Sequence, residues 1–326
     1  MGDQTRRAAV VVGLGAMGQR RLATLLAHPG WTVALAVDPS PRAHSVVPAG
    51  VPCSVGLDLA AFPSDLVIVA TPPSEAVALT CQALAVGRAV LCEKPPAVSS
   101  RDFTRAVATQ RESRAVLMIG FNHRLHASFR QARSALASGR LGAVLSIDGA
   151  YTKTTLAEPG AWRLSPERAG GGILMDQGVH LLDLCRTLVG DLKVRSAVLR
   201  GSRGSETDVV TELVSGQGAP VRIRSSAEDA TPRFELTIRC EYGELQLDGL
   251  VTSSGRYAPE RLLVSDKGPV PERFTWTTDD SFARELDLLT EALDTGVRGD
   301  HGLPEDALAA LALVESIYSL GTWEAP

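Results

Sequence analysis

Three groups of residues combine types and spacings that can do chemistry. The first is Gly13-Leu14-Gly15-Ala16-Met17-Gly18, a GxGxxG run. In such a turn Gly13 permits a tight bend, Gly15 lets backbone approach a pyrophosphate, and Gly18 lets a helix pack on a strand. Ala16 and Met17 open that helix, whose N-terminus faces the anion. Asp38 falls twenty residues past Gly18. A carboxylate there accepts hydrogen bonds from both hydroxyls of an adenosine ribose and repels a 2′-phosphate. The spacing favours NAD over NADP, and Arg42 close by keeps NADP in play.

The second group is the pair of breaks Ala70-Thr71-Pro72-Pro73 and Cys92-Glu93-Lys94-Pro95-Pro96. Both follow apolar runs, so they belong at the carboxyl ends of strands, where open parallel sheets hold ligands. Thr71, Pro72, Glu93 and Lys94 are thereby candidates for the cofactor site. Lys94 can also hold a substrate hydroxyl and favour the developing alkoxide. A lysine merely paired with Glu93 or with solvent is the plainer alternative. Only four lysines occur in the chain, at 94, 153, 193 and 267, which gives one inside a motif more weight.

The third group is Gly170-Gly171-Gly172-Ile173-Leu174-Met175-Asp176-Gln177-Gly178-Val179-His180. Asp176 and His180 are four positions apart, so one helical face would carry both. His180 can take a proton from an alcohol near neutral pH, and Asp176 can orient the imidazole or bind a substrate hydroxyl. The plainer alternative is an Asp cap with a core histidine. The three glycines suit either backbone approach to a ligand or a flexible loop. Arg124, Lys153, Trp162 and Arg163 flank strand ends or this loop and are candidate substrate contacts, equally readable as structural residues.

Positioning these groups requires a particular set of elements. Apolar runs at 8–12, 32–37, 65–70, 88–92 and 115–120 alternate with helical patterns at 16–27, 74–86 and 100–112. Runs of Val, Ile and Leu without alternation suit parallel strands buried on both faces. From about residue 122 the texture changes. A helix at 126–137, a strand at 143–151 and a helix near 175–188 precede alternating segments at 192–200, 208–215, 220–226, 234–240 and 244–247. Those read as an antiparallel sheet, and helices at 280–293 and 304–320 close the chain. The pattern predicts an α/β protein with a Rossmann domain over 1–121 and an α+β domain over 122–326.

Composition narrows the function classes. The chain has 326 residues, 44% hydrophobic and 21% charged, with a net charge of −4. Such a balance lacks the basic excess of a nucleic-acid binder, and no apolar run is long enough to span a membrane. Five cysteines, an odd number with no Cys-x-x-Cys pair, suggest neither a disulfide framework nor a metal site. The expectation is a cytoplasmic protein with reduced thiols and no metal.

Taken in order, the glycine turn, Asp38, Ala70-Thr71-Pro72-Pro73, Cys92-Glu93-Lys94-Pro95, Gly120-Phe121-Asn122-His123-Arg124 and the Gly170–Leu184 segment resemble the glucose–fructose oxidoreductase / inositol dehydrogenase / rhizopine catabolism (Gfo/Idh/MocA) family. The likeness runs from about residue 8 to the C-terminal helices, and Glu93-Lys94-Pro95 with Asp176-x-x-x-His180 is its most specific part. It implies a large, mostly antiparallel C-terminal sheet that commonly mediates homodimers or homotetramers. It also implies reversible hydride transfer between a sugar or cyclitol alcohol and nicotinamide, with Lys94 matching the family's catalytic lysine and Asp176 and His180 its acid–base pair. Within the family, Phe121–His126, Trp162-Arg163 and Asp176–His180 are most similar to a branch acting on nucleotide-activated sugars, some in antibiotic-sugar pathways. Pro96, where an aliphatic residue is commoner, and the short loop before Trp162 depart from the pattern. Inositol or a free sugar as substrate, an NAD-dependent glycosidase and a non-catalytic NAD-binding regulator are the competing readings.

Overall fold

The computed structural model describes residues 6–158, 160–249 and 259–324. The chain folds into two units, Met1–Phe121 with Phe282–Leu308, and Asn122–Ser281 with Ala309–Pro326.

In the first unit β1 (Arg7–Val12), α1 (Ala16–Ala27), β2 (Trp31–Val37), β3 (Cys53–Ser54), β4 (Leu66–Val69), α2 (Pro73–Ala85), β5 (Ala89–Glu93), α3 (Ser100–Ser113) and β6 (Leu117–Gly120) follow in sequence. The strands lie in the order β3-β2-β1-β4-β5-β6 and every pair is parallel. Val10, Val11, Leu66, Ile68, Leu91 and Ile119 are wholly buried, as strands covered on both faces require. Helix starts follow local chemistry: Ser99 Oγ accepts the Asp102 N–H ahead of α3, and Pro73 occupies the first turn of α2. From β1 the chain leaves to β2 on one side and reaches β4 on the other. The β1/β4 boundary is therefore the switch point, where open parallel sheets carry their ligand crevice.

The second unit begins with α4 (Ala127–Ala137), β7 (Val144–Thr152), the single turn α5 (Pro166–Ala169), a π turn (Leu174–Gly178) and α6 (Val179–Val189). Seven strands follow: β8 (Leu192–Ser202), β9 (Ser205–Ser215), β10 (Pro220–Ser226), β11 (Arg233–Cys240), β12 (Gly243–Asp248), β13 (Glu260–Ser265) and β14 (Glu272–Trp276). After α7 (Ser281–Thr295) and α8 (Pro304–Leu320), β15 (Thr322–Glu324) ends the described chain. The nine strands lie in the order β14-β13-β12-β11-β7-β10-β9-β8-β15. All neighbours are antiparallel except β7–β10 and β8–β15. Among the described residues no helix is long and apolar enough to cross a membrane.

Two features depart from the pattern read in the sequence. Most of α7 belongs to the first unit, although the division at 121/122 gave all of 122–326 to the second. Leu286 and Leu289 of α7 pack into the core formed by Ala9, Val11, Leu25, Trp31 and Ile68, and Trp31 Nε1 donates to Thr290 Oγ1 at 2.9 Å. The other difference is that β3, β13, β14 and β15 were not anticipated. In β13 the alternation is present, but its first inward residue is Glu260, a carboxylate rather than an apolar side chain.

Candidate active site

At the β1/β4 switch point the glycine turn is shaped by what surrounds it. Gly13 has φ +89°, a left-handed backbone, and a Cβ there would stand 2.6 Å from the Ala70 carbonyl oxygen. A Cβ on Gly18 would fall 1.7 Å from the Gly13 carbonyl oxygen, so helix and turn meet only because none is present. Gly15 caps α1 in extended conformation, and among the described residues nothing lies within 4 Å of its missing side chain. The first turn of α1, with Ala16 and Met17, is uncharged. Here backbone N–H groups and the helix dipole face open space, a ready anion site.

Asp38 stands just past β2 and also braces this turn. Its Oδ2 accepts the Leu14 N–H at 2.8 Å and its Oδ1 the Ser40 N–H at 2.9 Å. Each oxygen keeps a further lone pair for a ribose hydroxyl. Arg42 is exposed, and the His44 ring is held on the Asp38 carbonyl at 2.9 Å. Beyond β4, Thr71 Oγ1 is a buried hydroxyl with no hydrogen-bond partner among the described residues, and Pro72 caps α2. An open N-terminus, a carboxylate with spare acceptors and an orphaned hydroxyl fit a dinucleotide.

Glu93, expected to touch cofactor, is engaged otherwise. Arg21 Nε donates to its Oε1 at 2.6 Å, while Arg21 Nη2 lies 2.6 Å from Glu285 Oε2, and His301 Nε2 meets Glu285 Oε1 at 2.8 Å. All four side chains are buried. Burial pushes the Glu285 carboxyl up, and Arg21 with His301 more than offsets this, holding it below the ordinary carboxylate range. Glu93 thus anchors the end of β5 from behind, and half-buried Lys94 follows it, joined to Pro95 by a cis peptide. Burial raises the neighbouring Cys92 thiol to about 12, so it carries no thiolate chemistry at neutral pH. All five cysteines are free.

In the second unit Asp176 lies in the π turn and His180 opens α6, rather than both lying on one regular helix. π turns inside helices recur at functional sites. Lys153 Nζ donates to Asp176 Oδ2, and Arg163 Nε lies 3.5 Å from Oδ1. Arg163 in turn stacks on Trp162, 4.4 Å from the ring centroid. Three of the four expected substrate contacts are therefore grouped around Asp176. The fourth, Arg124, is turned inward: its Nε donates to Asp183 Oδ2 at 2.7 Å and its Nη2 to Oδ1, tying the chain before α4 to the helix of His180. A buried fork-to-fork pair of this kind is structural, because opening it would strand a charge.

The glycine loop also has a different occupation from ligand approach. The Gly172 N–H donates to both Glu206 oxygens at 3.0 Å, the Leu174 N–H to Oε1 at 3.0 Å and the Tyr318 hydroxyl to Oε1 at 2.8 Å. A Cβ on Gly172 would stand 2.1 Å from the Glu206 carbonyl oxygen, and one on Gly171 would stand 2.0 Å from the Tyr318 hydroxyl. Burial pushes the Glu206 carboxyl up, offset only in part by these donors. Glu206 and Tyr318 carried no signal in the sequence beyond being polar residues in a strand and a helix. His123 also went unmarked as a site residue, and its ring lies 3.7 Å, centroid to centroid, from that of His180.

A Rossmann unit with a dinucleotide turn, joined in one chain to a unit carrying a buried imidazole and a cation-held carboxylate, defines an NAD(P)-dependent oxidoreductase acting on CH–OH groups. The chain belongs to the GFO/IDH/MocA family: residues 7–121 match the oxidoreductase family's NAD-binding Rossmann fold, and residues 129–246 match the GFO/IDH/MocA C-terminal domain. It is 25% identical over 324 residues to an inositol 2-dehydrogenase of Rhizobium meliloti (strain 1021), covering 94% of each chain. It is 28% identical over 244 residues to a dTDP-3,4-didehydro-2,6-dideoxy-alpha-D-glucose 3-reductase of Actinomadura kijaniata, covering 72% of this chain and 70% of that one. A solved 3-ketoreductase from Actinomadura kijaniata, in complex with NADP and TDP-benzene, shares the fold with a TM-score of 0.85 at 22% identity, over 99% of this chain and 100% of the other.

Proposed function

We propose that the chain reversibly oxidises one secondary ring hydroxyl of a nucleotide-activated sugar to a ketone, with NAD preferred over NADP. The observation that carries the reading is a buried imidazole, His180, one turn along the chain from a carboxylate, Asp176, that Lys153 and Arg163 hold. In the oxidative direction His180 accepts the hydroxyl proton and Lys94 stabilises the oxygen as it gains negative charge. Asp176, held by its cations, positions His180 or an adjacent hydroxyl. Gly13, Gly15, Ala16, Met17, Asp38, Thr71 and Pro72 hold the dinucleotide. The nicotinamide, when bound, supplies the acceptor for the carbinol hydrogen. Asp38 supports NAD, because its carboxylate opposes a 2′-phosphate. The dTDP-sugar reductase among the relatives supports a nucleotide sugar.

A second reading, inositol as substrate, is favoured by the dehydrogenase from Rhizobium meliloti that matches over nearly the whole chain. In either reading the enzyme is cytoplasmic and a homodimer or homotetramer. The test follows nicotinamide absorbance with NAD⁺ or NADP⁺ against inositols, free sugars and nucleotide sugars. Turnover confined to NAD⁺ and a nucleotide sugar is the expected result. Turnover with inositol alone selects the second reading, and NADP⁺ preferred over NAD⁺ overturns the role given to Asp38. Sugar or aglycone release without net reduction points to a glycosidase. Tight NAD binding with no chemistry points to a regulator.

A further inference from the structure

A row of three buried imidazoles runs inward from His180. The rings of His180 and His123 meet edge-on, with centroids 3.7 Å apart and planes at 68°. His123 stacks on His126 at 5.1 Å with an interplanar angle of 29°. His126 Nδ1 lies 2.8 Å from Glu260 Oε1, and Glu260 Oε2 accepts the Ser128 N–H at 2.8 Å. His123, His126 and His180 are 1%, 0% and 4% exposed. They are three of the chain's six histidines.

The row has a fixed end and a working end. Glu260 is pinned between the backbone at the start of α4 and His126 Nδ1, which makes that nitrogen the one bearing hydrogen. His126 then backs His123 over a stacked face, and Tyr151 closes it from β7, edge-on at 5.5 Å. The His123 ring therefore has little freedom to turn against His180. Rings this close cannot both carry charge without strong repulsion in a buried site. Two interacting imidazoles take up protons as a pair, not singly.

We propose that His123 is a positioning residue for His180, and that the two closely packed rings together take up only one added proton, so that His123 stays neutral when His180 takes the proton from substrate. No oxidant beyond that of the proposed reaction is needed: the oxygen–hydrogen bond of the alcohol breaks, a nitrogen–hydrogen bond forms on His180, and the proton leaves to solvent when His180 resets. The charged and titratable groups around the pair are His126 before α4, Glu260 on β13, Asp279 before α7, Tyr151 on β7, Lys153 and Asp176 on the substrate side, and the buried pair Arg124–Asp183 beside α6. The fixed partners of Glu260 and Arg124 leave the two rings as the adaptable members.

The inference rests on His180 being the proton acceptor, yet its first test needs no substrate. Nuclear magnetic resonance of the six histidine rings, assigned by single substitution, follows their titration in the intact protein. Coupling makes His180 titrate in two steps, and His123→Phe, which keeps the ring and removes its nitrogens, reduces this to one simple step. The reciprocal change, His180→Gln, does the same for His123, and serves if His123→Phe does not fold. An unchanged His180 curve in His123→Phe, or an unchanged His123 curve in His180→Gln, overturns the proposal. With a turned-over sugar in hand, His123→Phe lowers kcat by about 10-fold or more, the scale for a lost orienting partner. KM and dinucleotide affinity stay put, and His123→Gln restores most of the rate. Coupled titration without turnover of any sugar would sink the proposed function and leave the pair standing.

Discussion

The dinucleotide turn of the first unit and the acid–base cluster of the second are built from opposite materials. The turn is made of backbone: a left-handed Gly13, a Gly18 with no room for a Cβ, and a carboxylate, Asp38, that grips the Leu14 and Ser40 N–H groups. The cluster is made of side chains from distant segments, His123, Lys153, Asp176, His180 and Glu206, each fixed by another side chain or by backbone. A backbone site is written in a few consecutive residues, since their types dictate the conformation. A side-chain site is written in contacts between residues far apart, and any single one of them reads as an ordinary polar residue.

The sharpest way to separate the two is to break each alone. Gly18→Ala forces a methyl onto the Gly13 carbonyl, and loss of dinucleotide binding is the expected outcome, measured by fluorescence titration. His180→Ala leaves that binding intact and lowers turnover ~10²–10⁴-fold, the range of general acid–base assistance. Near-normal turnover in His180→Ala at neutral pH would remove His180 from its role.

Next in size is the buried charge chain behind Lys94. Arg21→Met leaves Glu93 and Glu285 without their cation, and breaking a buried pair in this way costs about 3–5 kcal/mol. Chemical denaturation measures it. A loss below about 1 kcal/mol, the scale of a surface ion pair, would mean that the chain is solvated and does not anchor β5.

The second unit has a backbone element of its own, which blurs the contrast usefully. Gly172→Ala drives a Cβ to 2.1 Å from the Glu206 carbonyl oxygen, and overpacking of that kind costs about 1–3 kcal/mol. Because the displaced segment leads into Asp176, kcat falls along with stability. A variant that melts like the parent and turns over normally would return the glycines to the role of a flexible loop.

How much of this was legible follows the same divide. Five strands of the six-stranded parallel sheet were readable because continuous aliphatic runs and helical spacing leave few alternatives, and their ends fall within two residues of the expected ones; the two-residue β3 carried no such run. Lys94, Asp176 and His180 stood out by type and spacing. Arg124 and Glu93 did not reveal that they face inward, because an arginine's partner, Asp183 or Glu285, is decided by the fold and not by its neighbours in the chain. The strand carrying Glu260 was missed because its first inward residue is a carboxylate, which accepts the Ser128 N–H of α4, and His123, though inside the Phe121–His126 segment, went unmarked as a site residue because its contact with His180 joins segments far apart in the chain.

The smallest expected effect tests the comparison by pH, because buried carboxylates in the two units titrate in opposite senses. Glu285 is held below the ordinary carboxylate range, so the stability it contributes is complete at neutral pH and is lost as pH falls through its folded pKa. Glu206 is pushed above that range by burial, so its contribution is complete below the ordinary carboxylate pKa and is lost as pH rises through its folded one. Melting curves of Glu285→Gln and Glu206→Gln across acid to neutral pH read each term as a difference from the parent, which cancels the other titrating groups. The margin of the parent over Glu285→Gln widens toward neutral pH, and its margin over Glu206→Gln widens toward acid. For domains of this size each kcal/mol appears as on the order of 2–4 °C. Margins that run in the same direction would mean that Glu206 is ionised in the fold like Glu285. The donors on Gly172, Leu174 and Tyr318 would then form a charge-binding nest, and the loop before Asp176 would be held by an ion instead of by a neutral acid.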